Sequence, residues 1–294
     1  MHVLITGITG YISRYLLKFA PPDIKISGTF HSPLNSEEKS AFKHINLVQL
    51  ELQNPVEVQL QNIKADVVIH TAAVSGLAES ASGIEQADRI NNVSSGELAR
   101  WAKNRSCKFI YLSTDIVFDG LHAPYSESDK CVPVNSYGKS KYDGELAVLK
   151  NNDNAIITRL ALVLGQGIGR KKNFIDWLHN SVRLNQEIPL FTDEIRTPVC
   201  AIDVAKTIWH LTQKDAAGIF HLCGNKSIDR YELGCRICNY IDANYNNFKK
   251  ASLHDMPYRR PVDVSLKDNR LLEILNYSIP SPLDEIGSLF NESK

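Results

Sequence analysis

His2-Val3-Leu4-Ile5-Thr6-Gly7-Ile8-Thr9-Gly10-Tyr11-Ile12-Ser13 follows Met1 at the start of the chain. Its first five residues make a short apolar run of the kind shown by strands buried on both faces, and the run passes straight into a turn with two glycines. A helix from Tyr11 to about Phe19 completes the unit, and Pro21-Pro22 stop it. In that order of strand, turn and helix, Gly7 permits the tight bend and Gly10 lets the backbone approach a pyrophosphate. The helix start aims its positive end and free N–H groups at the same anion. Ser13 stands where a third glycine would ease packing of helix against strand, and its small side chain still permits fairly close approach. A glycine turn after a strand is often only a turn; its place in the first β-α unit makes it a candidate dinucleotide site.

The alternation continues to about residue 160. Strands are predicted at 2–6, 24–30, 45–50, 66–72, 107–113 and 155–160, and helices near 11–20, 55–63, 83–104, 137–150, 172–184, 202–213 and 229–243. Such a pattern implies right-handed β-α-β crossovers. The expected fold class is α/β: a Rossmann-type doubly wound parallel sheet with a smaller C-terminal substrate lobe. Residues 1–165, with about 199–225, are expected to form an NAD(P)-binding domain. The lobe is expected from about 166–198 and 226–294, where the alternation weakens and loops lengthen. The second strand ends at His31-Ser32, about where an acidic residue would bind the adenosine ribose of NAD. No acid stands there. A 2′-phosphate then meets no carboxylate repulsion and has Arg14, His31 or Ser32 to contact it, so NADP(H) is favoured over NAD(H).

Lys plus Arg balance Asp plus Glu at 33 each, which leaves no global drive toward nucleic acid or acidic membranes, and no basic run makes a local patch. Neither is an expected partner. With no leader pattern after Met1 and no apolar run of ~18 residues, a soluble, cytoplasmic protein is expected. The six scattered cysteines fit reduced core thiols better than a disulfide framework. Cys235-Arg236-Ile237-Cys238 falls inside a helical pattern, not at a helix start where a thiolate is stabilised, so core packing is favoured over redox chemistry. No Cys or His pairing has zinc spacing, and no metal site is expected, although acidic side chains in the C-terminal half could bind Mg²⁺ weakly.

Phe109-Ile110-Tyr111-Leu112-Ser113-Thr114-Asp115 reads as an apolar strand ending in hydroxyls. Ligands of open parallel sheets bind beyond the carboxyl ends of strands, which places Thr114 where a substrate oxygen could sit; a plain turn cap is the alternative. Tyr137 and Lys141, in Tyr137-Gly138-Lys139-Ser140-Lys141, share one helix face. A free tyrosine ionises near ~10, and a fixed ammonium beside it lowers that value, which makes the phenol a usable acid at neutral pH. A solvated lysine covering an aromatic ring is the bland reading of the same spacing.

With Thr114, Tyr137 and Lys141 behind a glycine turn, the chain resembles the extended short-chain dehydrogenase/reductase family. Ser113-Thr114-Asp115-Ile116-Val117-Phe118-Asp119-Gly120, Pro124-Tyr125-Ser126-Glu127, Pro133-Val134-Asn135-Ser136-Tyr137-Gly138-Lys139-Ser140-Lys141 and Gly144-Glu145 look like its dTDP-4-dehydrorhamnose reductase branch. The regulatory beta subunit of methionine adenosyltransferase belongs to that branch too. Weaker echoes run through Asn173-Phe174, Arg196-Thr197-Pro198 with Asp203-Val204-Ala205, and Arg260-Pro261 with Ser265-Leu266. The branch usually has Tyr where this chain has Ile116, which removes an aromatic hydroxyl beside the nicotinamide.

The resemblance implies that Gly7, Thr9, Gly10, Tyr11 and Ile12 hold the pyrophosphate and that Thr71, Ala72 and Ala73 follow the fourth strand along the cofactor. Lys141 would grip the nicotinamide ribose, and Asn91 would have a structural or water-relay role. The implied activity is NAD(P)H-dependent reduction of the 4-keto group of a nucleotide-linked 6-deoxyhexose, with Thr114, Tyr137 and Lys141 catalytic. Thr114, Asp115, Asn173, Arg196 and Arg260 would meet the sugar nucleotide, and Arg259 is a further cation for its diphosphate. A sugar-nucleotide epimerase or dehydratase, and a non-catalytic NADP-binding regulatory subunit, are the alternatives. The family also implies a homodimer through the helices near 83–104 and 137–150, where Ala99, Trp101, Leu146 and Leu149 could serve the interface or face the sheet.

Overall fold

The computed structural model describes residues 1–167 and 173–290. Six strands stand where the apolar runs predict them: β1 (His2–Thr6), β2 (Lys25–Phe30), β3 (Asn46–Gln49), β4 (Val67–His70), β5 (Lys108–Thr114) and β6 (Ile156–Leu160). With the strand Gly218–Leu222 they form one mostly parallel sheet of seven, in the order Gly218–Leu222, β6, β5, β4, β1, β2, β3. Parallel pairing joins β3 to β2, β2 to β1, β1 to β4 and β4 to β5. Strand order reverses between β1 and β4, and a doubly wound sheet opens its ligand crevice at that reversal. The seventh strand has weak sequence signal, because Gly218-Ile219-Phe220-His221-Leu222 holds one β-branched residue, begins on a glycine and contains a histidine.

Helix α1 (Tyr11–Lys18) follows β1. The helix predicted over 83–104 is divided: Ile84–Asp88 and Ser94–Lys103 flank a π turn at Arg89–Val93. The helix Ser136–Asn151 carries the Tyr137-to-Lys141 stretch. Phe174–Arg183 realises the helix predicted at 172–184, whose first residue, Lys172, lies outside the described residues. Residues 168–172 and 291–294, parts of the expected substrate lobe, also lie outside them.

The chain divides into two compact units. The first holds Met1–Thr114, Ser136–Arg159 and Ala205–Phe220; the second holds Asp115–Asn135, Leu160–Val204 and the chain from His221 onward. The core of the first packs Leu4, Val68, Leu98, Trp101, Phe109 and Ile157. Ala99 and Trp101 belong to that core and Leu149 packs against it, whereas Leu146 is exposed. In the second unit Leu164, Ile175, Leu178, Leu190, Leu233 and Cys238 form a core beside the parallel strands Ile188–Phe191 and Phe248–Ala251. Residues 115–135, expected with the nucleotide domain, fall in the second unit. Tyr125 explains the difference: its N–H donates to the Ser265 carbonyl at 2.8 Å and its carbonyl accepts from Lys267 N–H at 2.8 Å. Among the described residues no helix is long and apolar enough to cross a membrane.

Candidate active site

The first unit builds its site from the end of β1. Gly7 has φ +67°, and a Cβ there would lie 2.9 Å from the Ala72 Cα, so only glycine fits the turn. Gly10 N–H closes the turn onto the Gly7 carbonyl at 2.9 Å and leads into α1. Ser13 is buried, and its hydroxyl lies 2.9 Å from the Gly7 carbonyl and 2.7 Å from the Thr71 hydroxyl. The residue standing in for the third glycine therefore ties the helix to the strand ends by hydrogen bonds. Thr9, Tyr11 and Ile12 are half-buried along this turn and helix start.

Beside the turn lies a cavity of about 360 Å³, lined by Gly7, His31, Ser32, Glu51, Ala72 and Ala73 among others. That volume is in the range of small-molecule sites. The glycine cradle, the N–H groups at the start of α1 and this cavity fit a dinucleotide. A carboxylate does line this end of the cavity, against the expectation that none would: Glu51, which follows β3 and so escapes a reading confined to the end of β2, lies 2.9 Å from His31 Nδ1. Arg14 lies 4.9 Å from the Phe42 ring centroid and 4.0 Å from Glu37.

Thr114 is the last residue of β5 and is buried. Tyr137 and Lys141 stand on the first turns of Ser136–Asn151, Tyr137 half-buried and Lys141 with 3 % of its surface exposed. The Lys141 ammonium lies 3.9 Å from the Tyr111 ring centroid, a cation–π contact. Burial pulls the Lys141 pKa down to about 7, against the opposing pull of Glu145. Glu145 is itself buried and paired with Arg159, whose Nη2 lies 2.7 Å away, and it accepts a short hydrogen bond from Ser113. Burial, and secondarily Glu145, push the Tyr111 phenol well above its ordinary value. Lys141 therefore loses its proton long before its aromatic neighbour does.

Asn91, in the π turn, holds both Val74 N–H and the Val74 carbonyl at 2.9 Å and donates to Ser140 Oγ at 2.9 Å. Ser140 precedes Lys141. The π turn is what the sequence reading missed, and with it His70, a buried ring at the end of β4 that bonds Thr6 and Ser95. A histidine closing an apolar central strand was the one visible sign of it.

The second unit holds the other candidates. Arg196 is buried, 3.7 Å from Asp115 and 3.1 Å from Glu194. Arg230 and Arg260 also reach Glu194, at 3.2 and 3.6 Å. Burial opposes ionisation of Glu194, yet Arg230, Arg196 and Arg260 together hold its pKa down at about 2. Asn173 caps the Phe174–Arg183 helix: its side chain accepts from Asp176 N–H at 3.1 Å and donates to the Gly165 carbonyl at 2.7 Å. Cys238 is buried in this unit's core, and burial pushes its thiol up to about 11. Among the described residues no group of three His, Cys, Asp or Glu side chains could hold a metal ion.

The model of the RmlD substrate binding domain matches residues 1–293. A probable low-salt glycan biosynthesis reductase, Agl14, of Haloferax volcanii is 28 % identical over 295 residues, covering 98 % of this chain and 97 % of that one. The methionine adenosyltransferase 2 subunit beta of Rattus norvegicus is 31 % identical over 279 residues, covering 92 % of this chain and 81 % of the relative. The crystal structure of dTDP-4-dehydrorhamnose reductase from Bacillus anthracis in complex with NADP superposes with a TM-score of 0.84 at 25 % identity, covering 99 % of both chains.

Proposed function

We infer that this chain, which belongs to the RmlD substrate binding domain family, is an NAD(P)H-dependent reductase of the 4-keto group of a nucleotide-linked 6-deoxyhexose, with NADP(H) as the favoured cofactor. One observation carries the reading. Tyr137 and Lys141 lie on the first turns of one helix, in the same unit as Thr114 at the end of β5 and the cavity beside the glycine turn.

The reduced nicotinamide, when bound, supplies a hydride. The remaining work is done by side chains. A carbonyl oxygen that gains negative charge needs a proton donor already in place, worth roughly 10²–10⁴-fold in rate, and we assign that role to the Tyr137 phenol. Thr114 donates a hydrogen bond to the same oxygen. Lys141 in its charged form favours the phenolate left behind and hydrogen-bonds ribose hydroxyls. Gly7, Thr9, Gly10, Tyr11 and Ile12 are assigned to the pyrophosphate, Thr71, Ala72 and Ala73 to the cofactor along β4, and His31 and Ser32 to the 2′-phosphate. For the sugar nucleotide we propose Thr114, Asp115, Asn173, Arg196 and Arg260; the Arg260 side chain is 20 % exposed against 4 % for Arg196. We assign the first unit to the nucleotide cofactor and the second to the sugar nucleotide, and the protein to the cytoplasm as a homodimer. Leu146, exposed on Ser136–Asn151, supports that pairing surface. NADPH oxidation with a dTDP-4-keto-6-deoxyhexose tests the activity: Tyr137→Phe should lower kcat by about 10²-fold or more, and a variant with wild-type turnover would rule Tyr137 out.

Similarity to the methionine adenosyltransferase subunit favours one second reading, an NADP-binding regulatory subunit without turnover. Co-elution with a methionine adenosyltransferase catalytic subunit, with no NADPH consumed on any keto sugar, would decide for it.

A further inference from the structure

Thr6, His70 and Tyr111 stand in one row across three neighbouring strands, since Thr6 pairs with His70 and His70 with Tyr111 in the parallel register. His70 has 1 % of its surface exposed. The neighbouring donors and acceptors select one tautomer for its ring. Ser95 Oγ donates to the Asn91 carbonyl at 2.7 Å, which commits its only proton. The Ser95 oxygen is then left to accept from His70 Nε2, 3.0 Å away. With the ring proton on Nε2, Nδ1 is an acceptor and takes the Thr6 hydroxyl at 2.7 Å. Thr6 Oγ1 in turn accepts from Thr71 N–H at 3.2 Å and Ala72 N–H at 3.3 Å. In this arrangement each of these donors has an acceptor, and Ser95 also interacts with the Tyr111 hydroxyl.

The relay ends at the reaction groups. The Asn91 carbonyl takes a second hydroxyl, from Tyr111 at 3.1 Å, and the Asn91 amide holds Ser140 at 2.9 Å. Ser140 donates to the Tyr137 carbonyl at 2.9 Å. From these contacts we propose that His70 is a positioning residue: as a neutral, Nε2-protonated imidazole it ties the strand end that bears Gly7 to the π turn at Arg89–Val93. Through Asn91 it thereby fixes the helix turn that carries Tyr137 and Lys141. It touches neither substrate nor cofactor and moves no proton. Burial, helped by the charge on Lys141, lowers the pKa of the ring to about 3, so the imidazole stays neutral across the working pH range, and the hydrogen bonds select its tautomer. The inference rests on the assignment of Tyr137 and Lys141 as reaction groups.

The test compares full-length His70→Phe and His70→Gln with the wild type. Phenylalanine fills the space and removes both ring nitrogens, whereas the glutamine amide keeps an N–H within reach of Ser95. Misplacement of a reacting group by ~1 Å costs up to about 10²-fold. His70→Phe should therefore lower kcat about 10–100-fold with KM for NADPH and for the keto sugar within about twofold. It should also speed hydrogen exchange in peptides spanning 89–95 and 137–145. His70→Gln should restore kcat to within about fivefold of wild type and restore the slow exchange. Should His70→Phe fail to fold, His70→Asn takes its place, since its shorter amide does not reach Ser95. Equal damage in the glutamine and the disrupting variant would reduce His70 to packing, and ¹⁵N shifts of a ring protonated on Nδ1 would overturn the assignment. If the wild type turns over no keto sugar, the functional reading fails on its own; the exchange rates and ring shifts still decide the role of His70.

Discussion

Lys141 concentrates the electrostatics of the site in one side chain. Its buried ammonium titrates at about 7, and the charged form lies below that value, so a reaction that needs the ammonium slows as pH rises through about 7. The kcat–pH profile should show this alkaline limb, and Lys141→Arg, which keeps its charge, should displace it to higher pH. Stability carries the opposite sign. An unfolded lysine titrates near ~10.4, so between about 7 and that value the unfolded chain holds a proton that the folded chain has released, and stability rises with pH. Lys141→Met should flatten that rise in denaturant titrations between pH 7 and 10. At the adenosine end, His31 stands 2.9 Å from Glu51 in the cavity wall. Its removal leaves that carboxylate, among the described residues, held by the Gln53 N–H alone, beside the position proposed for a 2′-phosphate. His31→Ala should raise the Kd for NADPH about tenfold and leave that for NADH nearly unchanged, as read by cofactor fluorescence.

Among the elements, the helix Ser136–Asn151 is held to the sheet by charge as well as packing. Glu145 projects from it to meet Arg159 of β6, and both are buried. Removing one partner of a buried pair leaves an uncompensated charge, at about 3–5 kcal/mol. Glu145→Ala should lower stability by that order, read as a fall in the denaturant midpoint. Gly144, one residue earlier, permits the close approach: a Cβ there would strike the Asn91 carbonyl and the Tyr111 hydroxyl. The six leading strands were legible because runs such as Val67-Val68-Ile69 are apolar and lie between turns. The common helix of Tyr137 and Lys141 was legible because a four-residue spacing is about one helical turn. The π turn was not, since residues 83–104 keep a continuous helical pattern on either side and the extra residue leaves no mark in hydrophobic periodicity. Nor was the burial of Arg196: its partner Glu194 stands two residues away, but Asp115, Arg230 and Arg260 gather around the pair only after folding.

At the scale of the whole molecule, two buried groups make acid the chief hazard. Unfolded histidine takes up a proton near ~6.5, whereas His70 resists until about 3. Stability therefore drains away as pH falls through that window. Glu194, held at about 2 against ~4.3 when unfolded, contributes stability above ~4.3 that is lost as pH falls toward 2. Urea midpoints should fall steadily from pH 7 to pH 4, and His70→Gln should remove the upper part of the decline. Light scattering on Leu146→Glu tests association: the proposed dimer should give way to monomer, and an unchanged mass would discard that surface. The division of the chain into units was only partly legible, since Asp115–Asn135 joins the second unit through backbone bonds to residues more than a hundred positions downstream. The sheet itself spans the same distances. β6 lies between β5 and the strand Gly218–Leu222, and roughly 60 residues separate that last strand from the end of β6. On a ribosome adding ~5–20 residues per second, β6 waits roughly 3–12 s with one edge bare. For that interval the nascent chain displays an unpaired apolar strand, the form of exposure that chaperones bind and that aggregation begins from.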